Sequence, residues 1–131
     1  MERGTTTFEI QYSGIERQRK VWLEVLDGLL AENVVLKNRL AEIIATQQHT
    51  RSDLELLEAF QNSFLMKDAH IMLLRKDILA QEKFALASGQ SDTSSLDLSH
   101  RQEKLQYDVS MMSEQFGRLR LTFETQFAAR V

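Results

Sequence analysis

Residues 15–78 read IERQRKVWLEVLDGLLAENVVLKNRLAEIIATQQHTRSDLELLEAFQNSFLMKDAHIMLLRKDI. Every seventh position of that stretch is apolar with one exception: Ile15, Trp22, Leu29, Leu36, Ile43, Thr50, Leu57, Phe64, Ile71 and Ile78. Two turns of α-helix take about seven residues, so a repeat sustained this long marks long helices packed side by side. The backbone permits it, because the chain has no proline and no glycine between Gly28 and Gly89.

The ladder conceals a break. In its first half the apolar companion of each seventh residue lies four positions on, as in Trp22 with Leu26 and Leu36 with Leu40. In its second half it lies three positions on, as in Leu57 with Phe60 and Ile71 with Leu74. The buried stripe therefore changes direction, which two helices allow and one straight helix does not. The polar stretch Thr46-Gln47-Gln48-His49-Thr50-Arg51 is the turn, and Ser52 with Glu55 has the spacing of a capping box that starts the second helix.

Working outward, Ser13 and Glu16 form a similar capping box, so the first helix is predicted from about residue 14 to 48. Ahead of it, Thr5–Tyr12 alternates Phe8, Ile10 and Tyr12 with polar neighbours, the pattern of a lone strand or extended arm over residues 1–13. The second helix is predicted over about 53–87. Beside its main stripe it carries another apolar line, Leu65, Ala69, Met72, Leu79 and Leu86, giving a face wider than a two-stranded coiled coil needs. A glycine- and serine-rich linker at about 88–95 follows, and then a third helix over about 96–129, with Leu98, Leu105, Val109, Met112, Phe116, Leu119, Phe123 and Phe127 at helical spacing. Short connections between long neighbours favour antiparallel packing. The predicted fold is all-α: an elongated, coiled-coil-like antiparallel bundle of three long helices spanning 14–131, with a short N-terminal arm, expected to form a homodimer.

Composition bounds the rest. The chain has 131 residues, enough to bury a core in one domain, and its 43% hydrophobic content is that of a folded protein. A net charge of −3 attracts neither nucleic acid nor anionic lipid. The absence of cysteine excludes disulfides and thiolate chemistry. No apolar run is long enough for a signal peptide or a membrane span, so a cytoplasmic protein is the expectation.

Several residues invite a functional reading, each with a plainer alternative. Asn33 lies mid-helix among inward leucines, where an asparagine can pair with its symmetry mate in a parallel zipper, with Glu32 and Lys37 placed for an interchain ion pair. The flanking Leu23, Val25, Leu30 and Ile44 are apolar where a zipper wants charges, so a wide bundle with Asn33 bonded at the core edge is preferred. Ala31, Val34, Val35, Ala41 and Ala45 form a stripe of small apolar residues, either a close-approach oligomer surface or a tolerant solvated face. Arg17, Arg19 and Lys20 beside Trp22 resemble a groove-reading basic segment only faintly, since Glu16 and Glu24 dilute them. His49, His70 and His100 form no Glu-x-x-His pair, and Asp97 with His100 alone makes a poor metal site, so capping or exposed roles are expected and neither metal nor cofactor. Phe116, Phe123 and Phe127, beside Arg118, Arg120 and Arg130, make the third helix either the lid of the core, which is preferred, or a detachable amphipathic segment.

No phosphate loop, nucleophile elbow or paired carboxylates appear, and catalysis has no residue to stand on. The expected function is a non-enzymatic interaction protein (scaffold, adaptor or assembly factor) working through self-association and docking of a protein partner. Trp22, Leu29, Asn33, Leu36, Val34, Val35, Ala41, Phe116, Phe123 and Phe127 are the expected interface residues. The alternative is a holding chaperone that releases the third helix to bind a client helix.

Overall fold

The computed structural model describes residues 7–88 and 94–127, with side-chain surroundings for residues 13–81, 83 and 97–127. The chain runs through three helices, α1 Thr7–Thr46, α2 Arg51–Ser88 and α3 Ser94–Phe127, each ~50–60 Å long at ~1.5 Å per residue. Cross-helix polar pairs fix their directions. Asp27 of α1 meets Arg75 of α2 while Lys37 meets Asp68, so numbers rise on one helix as they fall on the other. Lys67 of α2 meets Gln115 of α3 while Gln81 meets Gln102, again antiparallel. Gln18 meets Gln106 and Glu32 meets Arg120, both 88 residues on, so α1 and α3 run parallel. The bundle is up-down-up.

The sevenfold ladder is the core. Ile15, Trp22, Leu29, Leu36, Ile43, Leu57, Phe64, Ile71 and Ile78 are all buried, as are Leu26 and Leu40 four positions on in α1 and Phe60 and Leu74 three positions on in α2. Burying each large side chain contributes roughly 1.5–3 kcal/mol relative to leaving it in water. α3 closes the core with Leu98, Leu105, Val109, Phe116, Phe123 and Phe127. At one end its rings join those of α2: Phe123 meets Phe60 edge-on at 5.2 Å and Phe64 at 5.3 Å, and Phe127 meets Phe60 at 5.8 Å. Edge-to-face packing of this kind aligns the positive rim of one ring with the negative face of the next.

Thr50, the single polar rung of the ladder, is the turn itself. Its hydroxyl accepts from the Asp53 backbone N–H at 3.0 Å, and its own N–H donates to the Asp53 carboxylate at 3.2 Å. This reciprocal cap starts α2, in place of the expected Ser52–Glu55 box, because it satisfies two otherwise orphaned amides. At the other side of the turn the His49 ring lies 2.8 Å from the Ile43 carbonyl oxygen, closing the end of α1.

Two expectations change. Thr7–Tyr12 are the first turns of α1 and no strand, and Ser13 with Gly14 sits inside the helix, so that capping box is not used. A lone strand leaves its amides without partners, whereas extending an existing helix adds a hydrogen bond per residue without a new nucleus. Residues 1–6 of the expected arm, and residues 89–93 of the expected linker, lie outside the described residues.

Candidate interaction surfaces

The three helices leave a buried polar node at mid-bundle. Asn33 is 0% exposed, and its amide nitrogen donates to the Phe64 carbonyl oxygen at 2.9 Å and to Asp68 Oδ1 at 2.8 Å. The Lys37 ammonium donates to the other oxygen of the same carboxylate. Asn33 is therefore bonded to α2 of its own chain, the arrangement expected of the wide-bundle alternative. Glu32 and Lys37 are likewise engaged within the chain, by Arg120 and Asp68. Sliding α1 along α2 would leave the buried Asn33 amide without its partners on α2, so the node favours one register. The node is not fully satisfied, for Asn33 Oδ1 is buried and accepts no hydrogen bond.

A second polar contact joins the parallel pair. The indole N–H of Trp22 donates to Gln106 Oε1 at 2.9 Å, the same oxygen accepts from Gln18, and the Gln106 amide donates to Ser110. Beside it lies an open groove of ≈520 Å³ between α1 and α3, bordered by Arg17, Val21 and Val25. With Trp22 only 2% exposed, its ring offers no stacking surface next to Arg17 and Lys20. Arg19 pairs with Glu16 at 3.7 Å. These cations line a helix face and make no basic-aromatic platform of the kind that holds nucleic acid.

The expected interface residues separate cleanly. Trp22, Leu29, Asn33, Leu36, Phe116, Phe123 and Phe127 are buried within the chain itself. Periodicity reports that a face is buried and not whose surface buries it. Val34, Val35 and Ala41 are exposed. Ala41 and Ile44 of α1 share a shallow groove of ≈230 Å³ with Leu65 of α2.

An uncovered apolar surface lies on the outer face of α2, opposite its core stripe. Leu65, Met66, Met72 and Leu73 are each more than half exposed, and Ala69 lies exposed between them. The second apolar line of α2 contains Leu65, Ala69 and Met72, and Met66 and Leu73 lie beside it. Their signal was the doubled runs Phe64-Leu65-Met66 and Ile71-Met72-Leu73-Leu74, too apolar for one helix face to bury.

For chemistry the surface offers little. Among the described residues no three of His, Cys, Asp and Glu cluster as metal ligands, and no helix is long and apolar enough to cross a membrane. His70 and His100 are exposed. The one clear electrostatic perturbation among the described groups is at Lys104, whose pKa is raised because Asp108, one turn on, hydrogen-bonds its ammonium and attracts its charge. No protein-family model, curated protein or solved structure matches the chain.

Proposed function

We propose that the chain is a non-enzymatic interaction protein, a scaffold, adaptor or assembly factor that works by self-association and by docking a protein partner. The observation that carries this reading is the outer face of α2. There Leu65, Met66, Met72 and Leu73 stand in water although the core beneath them is complete. Large apolar side chains gathered on one exposed face of a folded bundle mark a surface that another protein covers.

The holding-chaperone alternative requires α3 to leave the bundle. Phe116 and Phe123 are 0% exposed and Phe127 2%, so release would expose three rings whose burial contributes roughly 1.5–3 kcal/mol each. That weighs against a spontaneously detaching α3. Light scattering on the purified chain at tens of micromolar tests the proposal. An oligomer is the expected result, and a monomer would refute the self-association half of it.

A further inference from the structure

We infer that the occupant of the outer α2 face is the same face of a second copy of the chain, packed antiparallel about a two-fold axis at Ala69. This rests on the self-association proposed above and specifies its surface.

Charges flank the apolar patch of the outer α2 face. Glu55 and Glu58 stand exposed in its N-terminal half, together with Arg51, which pairs with Glu55 at 3.5 Å, and Lys76 and Lys83 stand exposed in its C-terminal half. A parallel pair of such faces stacks glutamate on glutamate and lysine on lysine, which is unfavourable. An antiparallel pair sets acid against base. The spacing supports the same choice, because the outward positions 55, 58, 62, 65, 69, 73, 76, 80 and 83 step by three and four in an order that reads the same from either end. With the axis at Ala69, Leu65 of one copy lies opposite Leu73 of the second, Asn62 opposite Lys76, and Glu55 opposite Lys83. Alanine at the axis has the smallest side chain that keeps helix propensity, and it lets the two backbones approach closely. Met66 and Met72 border the contact and can adapt to an uneven surface. A face that is self-complementary under a two-fold is what a closed dimer requires.

The chain's lack of cysteine makes the test direct. Ala69→Cys places one thiol at the proposed axis, and mild oxidation is expected to convert the dimer almost fully to a disulfide-linked species. Ser110→Cys, exposed on α3, serves as the control and is expected to cross-link at least tenfold less. Leu73→Glu is expected to raise the dimer dissociation constant at least tenfold with the circular dichroism spectrum unchanged, since that side chain is 59% exposed and supports no core contact. Glu55→Lys and Lys83→Glu are each expected to weaken the dimer, and the two together to restore it. A dimer that keeps its affinity with Leu73→Glu and cross-links no better at position 69 than at 110 overturns this surface while leaving self-association standing. A monomer overturns both.

Discussion

Asn33→Asp is nearly isosteric and tests the buried node directly. The amide nitrogen of Asn33 donates both of its hydrogen bonds, to the Phe64 carbonyl oxygen and to the Asp68 carboxylate. An introduced carboxylate donates neither, and it faces a second carboxylate at the 2.8 Å now spanned by the hydrogen bond. Lys37 lies on the far oxygen of Asp68 and relieves only part of the repulsion. The new carboxyl therefore holds its proton more tightly in the folded chain, and its pKa is raised above the ordinary carboxylate value by burial and by the facing Asp68 carboxylate. Protonated, it still donates one bond, so the loss relative to the parent is about 1 kcal/mol. Because the folded pKa lies above the unfolded one, the added penalty of the ionised form is absent below the unfolded pKa and grows as pH rises through the folded one. Urea denaturation followed by circular dichroism, parent beside variant, is expected to show a loss of about 1 kcal/mol at acid pH and a distinctly larger loss at neutral pH. A difference within about 0.5 kcal/mol at both pH values, the size of an ordinary surface change, would falsify the buried position of Asn33.

Other substitutions probe separate features. Phe123→Ala removes the ring that meets Phe60, Phe64 and Phe127 and is expected to cost about 3–5 kcal/mol in a denaturant titration, with unfolding at ambient temperature an extreme outcome of the same sign. Thr50→Ala removes one half of the reciprocal cap and is expected to lower stability by about 1 kcal/mol, whereas Ser52→Ala should fall within about 0.5 kcal/mol. Gly28→Ala should stabilise by about 0.5–1 kcal/mol in thermal melts, since an added Cβ meets nothing within 4 Å and alanine is the better helix former.

The helices were legible because sevenfold apolar spacing has few other physical causes, and the direction change at residues 46–51 was legible because the stripe moved from a four-residue to a three-residue companion. The cap was misplaced for a simple reason: Ser52–Glu55 and Thr50–Asp53 have the same spacing, and only the polar interruption of the ladder at Thr50 favoured the second. The N-terminal alternation misled because β-favouring residues attached to a long helix follow the helix when no partner strand is present. The exposed apolar face was the least legible. Periodicity picks out Trp22, Leu36 and Phe123 as covered, and the chain itself buries them. The exposed Met66 and Leu73 sit off the repeat. Asn33 could be placed near the core from its neighbours, but its partner Asp68 lies 35 residues away and no local pattern connects them.

Crossing the bundle three times has a consequence for anything attached to it. The first turn of α1 and the last turn of α3 lie at opposite ends of the rod, ~50 Å apart along its axis. A two- or four-pass bundle would bring both attachments to one end. Here Thr7 and Phe127 lie at opposite ends of the rod, and the parallel contacts of Glu32 with Arg120 and of Trp22 with Gln106 join the two helices lengthwise between them.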